Sequence, residues 1–468
     1  MTTTVNVFNI IKSISQKIKS GTLAEDELQY ATKALELLKT GFVGTVTSSA
    51  SLSSAVTNPG KIFYSLSEKA IYYSNGTYWI SFSGASAASP ASGTIWSAGY
   101  ASSGQLGDGT TTNKCIFTNE ISTSLWTTSD ASVAAVSAIK VNGSLWSWGS
   151  SFHGNGTVWA TFTCSPVREI CSASNWSRVT RFPMDGSCQN GLAIKTDGSL
   201  WGWGGNSGGQ LGNGNTTQMC SPVREICSAT NWSQVSGGYR FAIALKTDGS
   251  LWGWGADCCG NLAIGQAGAA VTRCSPVREI CSATNWCMIA TSKAGFASAA
   301  IKTDNSLWLW GRTGGGDGIG VSNVTCSPIR EVCSANDWCM VSVQSGVPTG
   351  AGNNTRGHAI KTNGTLWSWG GNNAGYLGNG TTTIFQCPSR EFCSATNWCM
   401  VSAGRLHTVA IKTDGSLWAW GCNICGSFGI GGLTDSCSPV RESSLTATDW
   451  LHVSTGCHVT IGIRKVTV

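Results

Sequence analysis

The chain has 468 residues, of which only 12% are charged, with 59 Gly, 22 Trp and 21 Cys. About a quarter of a typical soluble protein is charged, so this composition points to tight turns and large buried aromatics, and away from disorder or a helical bundle. The net charge of +6 carries no basic block, so no nucleic-acid partner is expected; no apolar run reaches the roughly 18 residues of a membrane helix, so no membrane insertion is expected either.

Residues 1–41 are expected to form two amphipathic helices. Val7, Ile11, Ile14 and Ile18 recur at helical spacing, as do Leu28, Ala31, Leu35 and Leu38. Thr22 and Glu25 have the spacing of a capping box, and Gly41 suits the C-terminal stop. Helices this short cannot bury their stripes alone. They pack as a hairpin on the rest of the chain, or they assemble with copies of themselves or a docking partner, so this region reads as an anchor and the chain as a homo-oligomer.

Residues 42–92 read as Ser/Ala-rich linkers around a β-hairpin module at 59–82. Asn75-Gly76 is a strong hairpin signal, because both residues tolerate positive φ. The segment Gly60-Lys61-Ile62-Phe63-Tyr64, followed by Tyr72-Tyr73-Ser74-Asn75-Gly76-Thr77-Tyr78-Trp79, resembles a small module of bacteriophage tail-fibre and other virion proteins.

From residue 93 to the end one phrase returns seven times: a hydroxyl residue, an aliphatic, Trp, one residue, usually Trp again, then Gly. Its first Trp falls at 96, 146, 201, 252, 308, 367 and 418. A near-fixed period of this length marks one repeated supersecondary unit. Each unit offers four strand-length stretches between turns, which is the content of a propeller blade. Two Trp at i and i+2 share one strand face, and a third recurs at 126, 176, 232, 286, 338, 398 and 450. In such fixed register these residues are expected to be structural wedges between blades.

The units resemble the regulator of chromosome condensation (RCC1) repeat. The match lies in the Leu-Trp-x-Trp-Gly strands, in Gly104–Gly109 and Gly209–Gly214, in the Pro of Ser-Pro-Val-Arg-Glu, and in the glycine-to-histidine spacing at His407 and His458. The resemblance implies an all-β, seven-bladed propeller over 93–468. The chain enters on a Leu-Trp strand and leaves on Ile461–Lys465, so its two ends should pair in one shared blade and close the ring. Family members bind proteins through loops on one propeller face.

The cysteines recur in register. Cys171, Cys227, Cys281, Cys333 and Cys393 fill one position, and Cys287, Cys339 and Cys399 another. These eight are candidate disulfide partners, either with each other across the five-residue link or with the cysteine before Ser-Pro of a neighbouring unit. The repeated Arg-Glu pairs are expected to form a cross-blade ion-pair ring, and the lysines at 140, 195, 246, 302, 361 and 412 a similar structural ring. No nucleophile, Walker or metal-ligand motif occurs, so neither catalysis, cofactor nor metal is expected.

The stretch before each Ala-Ile-Lys strand varies between units. Arg181, Phe182, Met184, Tyr239, Arg240, Lys293, Phe296, Arg356, Arg405 and His407 are the candidate ligand-binding loop residues. Met1–Ser20 lacks the apolar stretch of a secretory signal, while the cysteine content suits an oxidising destination. Both suit a protein released by lysis. The expectation is a non-enzymatic virion protein, a phage tail fibre or surface decoration. It would bind other virion proteins through the N-terminal region and a host-surface protein or glycan through the propeller loops. The alternative is a cellular RCC1-like interaction module, an exchange factor or enzyme inhibitor.

Overall fold

The chain divides into two compact units, Met1–Ala91 and Ser92–Val468. In the computed structural model the described residues are the strands within 43–81, together with 92–466 apart from 123, 151, 158–161, 184–188, 267–271, 313–323, 345–354 and 443–447. The expected helices of residues 1–41, with Val7, Ile11, Ile14, Ile18, Leu28, Leu35 and Leu38, lie outside them. In the first unit Ala70–Ser74 pairs antiparallel with Ile62–Ser65 and with Trp79–Ser81, bringing Ser74 opposite Trp79. Val43–Val46, placed in a linker by composition, is instead a strand parallel to Ile62–Ser65.

The second unit contains seven four-stranded antiparallel blades. Five are separate sheets; the other two are joined into one eight-stranded sheet. A representative blade runs Trp232–Gly238, Phe241–Lys246, Leu251–Ala256 and Thr272–Arg278. The first strands of neighbouring blades pack on one another, so they surround the axis, and the Ser-Pro strand is outermost. Closure uses both chain ends: Val459–Lys465 pairs with Gly93–Gly99 over seven registers, Gly462 opposite Trp96. The blade therefore has no free internal edge where the ring begins and ends.

The repeated Trp residues have distinct roles. The second of each pair, such as Trp254, is fully buried; its indole donates to Gln210 O of the preceding blade at 2.9 Å. Trp148, Trp310 and Trp420 make the same reach to Gln105 O, Asn261 O and Tyr376 O. The wedge works because a glycine lies where the indole enters: Gly212 has φ +68°, and a Cβ there would stand 2.9 Å from Trp254 Nε1. The first Trp is half-buried and donates to the hydroxyl two residues before it, as Trp252 does to Ser250 Oγ at 2.8 Å.

The six lysines recur at the same place in successive blades, where their role is structural. Each ammonium sits between two Trp rings of its own blade; Lys246 Nζ is 4.2 Å from the Trp252 centroid and 4.9 Å from Trp232. Arg464 takes this place in the closing blade. Among the described residues the Arg-Glu pairs from Arg168-Glu169 to Arg390-Glu391 form no cross-blade ion pairs. Glu169, Glu225, Glu279, Glu331 and Glu391 are buried and cap the link to the next blade: Glu225 accepts from Cys227 N and Ala229 N at 2.6 Å and from Trp232 Nε1 at 3.3 Å. The neighbouring Arg224 donates to Ser228 O at 2.7 Å. A link held around a carboxylate satisfies its own amides locally, which leaves the Glu no need of a cation.

That cap also separates the candidate disulfide cysteines. No disulfide joins the described cysteines, contrary to the expectation for Cys171, Cys227, Cys281, Cys333, Cys393, Cys287, Cys339 and Cys399. Cys281 N and Ala283 N are both fixed on Glu279, and the Cys281 thiol is exposed. Cys287, Cys339 and Cys399 point their thiols at Ile301 O, Ile360 O and Ile411 O, each 3.3 Å away on the paired strand. The five-residue link does not turn one sulfur back to the other.

Candidate binding face

The up-and-down order of strands sorts the loops. Links from first to second strand and from third to fourth emerge on one face; the Thr-Asp-Gly turns and the Glu-capped links emerge on the other. The second face is nearly the same in every blade. Asp248 Oδ1 accepts from Ser250 N at 2.9 Å and Ser250 Oγ at 2.6 Å, and Asp197, Asp304 and Asp414 repeat this. The first face is where blades differ.

Around the axis the inner strands are stitched by a position the repeat pattern hides. In four inner strands the fifth residue is a serine that accepts from a backbone N–H of the next blade: Ser236 Oγ from Thr291 N at 3.2 Å, Ser342 Oγ from Ala403 N at 3.0 Å, Ser402 Oγ from Thr455 N at 3.1 Å and Ser454 Oγ from Ala131 N at 3.0 Å. In one blade this residue is Asp130, whose carboxylate accepts from Arg181 N at 2.8 Å, Thr180 Oγ1 at 3.0 Å and Ser454 Oγ at 2.7 Å.

Lys293 descends from the first face to meet it. Its ammonium lies 2.5 Å from Asp130 Oδ1 and also donates to Ala131 O and, at 3.5 Å, to Thr455 O. Lys293 thus leaves its own blade, crosses the axis, and ties the first complete blade to the closing one. A charged strut here obstructs the channel and leaves a concave mouth above it.

The structure separates the ten candidate loop residues into interior and face. Arg181 and Phe182 continue the inner strand Trp176–Pro183, which is longer than the repeat suggests. Both are fully buried; Phe182 packs where Gly237 of the next blade leaves room, and burial draws the Arg181 pKa down to about 9. Arg356 opens a second strand and is buried too. Its guanidinium lies 4.0 Å over the Tyr376 ring and donates to Gly404 O at 2.7 Å and to Arg405 O. His407 is buried with Nε2 2.8 Å from Thr460 Oγ1, and burial holds it neutral with a pKa of about 3. Phe296 is nearly buried, edge-on to Tyr239 at 5.5 Å. Tyr239, Arg240, Lys293 and Arg405 are half-buried on the variable face, and Arg240 donates to Ser207 Oγ at 2.9 Å. Met184 lies outside the described residues. Sequence reasoning missed Asp130 because a lone acid in a strand carries no motif; its only signal was replacing the hydroxyl common at that register.

Comparison with known proteins agrees with this architecture. The family described as "Regulator of chromosome condensation (RCC1) repeat" matches residues 197–245 and 363–411, and a second description of the same repeat matches 232–261 and 401–427. The chain carries RCC1 repeats in an RCC1-like propeller fold. The Ultraviolet-B receptor UVR8 of Arabidopsis thaliana is 28% identical over 285 residues, covering 59% of this chain and 60% of UVR8. Protein RCC2 of Mus musculus is 30% identical over 167 residues, covering 35% of this chain and 28% of RCC2. The chain therefore spans less than two thirds of either relative. The crystal structure of Prp20p from Saccharomyces cerevisiae, reported with its binding to Gsp1p and histones, superposes with a TM-score of 0.65 at 16% identity. It covers 80% of this chain and 92% of that one. At that identity the likeness shows the fold alone.

Proposed function

We propose that this chain is a non-enzymatic, cellular RCC1-like interaction module that binds a partner protein through its variable face. The observation that carries this reading is the asymmetry of the two faces. One repeats the same Asp–Ser turn and Glu-capped link blade after blade; the other presents Tyr239, Arg240, Lys293 and Arg405 from different blades on a rigid support. A constant scaffold with a divergent loop face suits recognition. The relatives are cellular proteins and give no support to a virion adhesin. Regulating a partner's nucleotide exchange or activity is the mode of action this module fits. The described histidines at 358 and 407 are packed in the interior, which supports a role without acid–base chemistry.

The test is site-specific photocrosslinking of the full chain in its native cells. A benzophenone side chain at Tyr239 should trap a discrete partner protein, whereas one at Thr247, exposed on the constant face, should not. Equal products from both positions, or none from Tyr239, would overturn the proposal.

A further inference from the structure

We infer that the mouth of the channel is a receptor for a single carboxylate side chain of an acidic partner segment, with Arg405 as its anchor. This rests on the reading of the variable face as a protein-binding surface. A small concavity opens there, lined by Ser132, Lys293, Gln344, Arg405, Thr455 and Cys457 among others.

Lys293 and Arg405 are the only charged residues in the lining among the described residues. The Lys293 ammonium is already engaged with Asp130, Ala131 O and Thr455 O beneath the mouth. Arg405 faces no carboxylate among the described residues; its guanidinium Nη1 contacts the Cys457 sulfur at 3.7 Å. Its backbone is fixed on both sides: Arg405 N donates to Gly456 O at 3.2 Å, and Arg356, itself without a carboxylate, holds Gly404 O and Arg405 O from behind. The Arg405 guanidinium therefore stands at the mouth with no carboxylate beside it among the described residues, backed by a second buried guanidinium that has none either. A planar donor fork is matched by the two oxygens of a carboxylate, and the backbone that carries this one is already held in place before binding.

The experiment uses the full chain and a fluorescein-labelled hexaglutamate peptide, read by anisotropy at about 50 mM salt, where surface attraction is weakly screened. Saturable binding is expected, with hexaglutamine failing to bind. Arg405→Gln should weaken binding about tenfold, Arg405→Lys should retain part of it, and Lys465→Gln, which removes the same charge from an exposed strand end on the constant face, should change it less than twofold. The thermal midpoint of each variant shows that it is folded. Equal losses for Arg405→Gln and Lys465→Gln, equal binding of hexaglutamine, or no saturation would overturn the inference. Retained Tyr239 photocrosslinks alongside such a failure would show that the pocket assignment fell and the face assignment did not.

Discussion

Replacing Asp257 by Asn should stabilise the protein at neutral pH. The residue begins the loop after the third strand, at a position held by Asn206, Asn372 and Asn423 in other blades. Those amides work from both ends: Asn206 Oδ1 accepts from Leu211 N at 3.0 Å while Nδ2 donates to Thr217 O at 3.0 Å and Asn215 O at 2.9 Å. Asp257 Oδ1 keeps the accepting half, from Leu262 N at 3.3 Å, but its Oδ2 is buried without a hydrogen-bond partner. Burial, against weaker opposing help from backbone amides and Arg273, raises its pKa from 3.8 to about 6. The folded state thus holds this proton more tightly than the unfolded chain. The associated stability is full below pH 3.8 and is lost as the pH rises through 6. A rise of about two in pKa corresponds to about 3 kcal/mol. Screening by water around this outer loop reduces that to about 1–2 kcal/mol. Urea unfolding of wild type and Asp257→Asn at pH 7.5 and pH 4.5 should show the gain at the higher pH, with little at the lower. An Asn variant no more stable at pH 7.5, or one equally stabilised at both, would refute the reasoning.

Three other outcomes are expected. His358 and His407, held neutral by burial with pKa values of about 3, take up protons more readily when unfolded; stability is therefore intact above pH 6.5 and falls below it, by about 2 kcal/mol per histidine at pH 5. The thermal midpoint should drop from pH 7 to pH 5, and a His358→Gln/His407→Gln variant should flatten that slope. Trp254→Ala removes a buried inter-blade wedge and should cost about 3–5 kcal/mol in denaturant unfolding, whereas Trp252→Ala, half-exposed, should cost distinctly less. Gly378→Ala should cost at least about 2 kcal/mol, since it forces Ala to φ +68° and places Cβ 2.8 Å from Trp420 Nε1; a neutral result would disprove the wedge-and-glycine account.

Much of the propeller was legible because its determinants are local and repeated. The register of Leu-Trp-x-Trp-Gly marks a strand, the Thr-Asp-Gly turn forces a hairpin, and a chain that enters on one strand type and leaves on its partner must close by pairing them, as Gly462 and Trp96 do. The candidate site was less legible. Arg181, Phe182, Arg356 and His407 looked like loop residues since nothing in the repeat shows that an inner strand runs on past its usual end, or that a neighbouring blade covers it. The glutamates looked available for arginines, because a carboxylate's preference for its own backbone amides depends on how the link is wound.

By itself the sequence determined what is encoded within one unit: the strand order, the turns and the aromatic faces, all set by side-chain period and turn chemistry over a few residues. Only the tertiary structure decided what lies between units. Lys293 and Asp130 are 163 residues apart and meet across the axis only once the ring is closed. Arg405 is left facing an open mouth only because Arg356, Gly456 and Cys457 arrive from other blades to hold it there. Charge pairing and burial are properties of three-dimensional neighbours, and in a ring those neighbours come from blades that are remote in sequence.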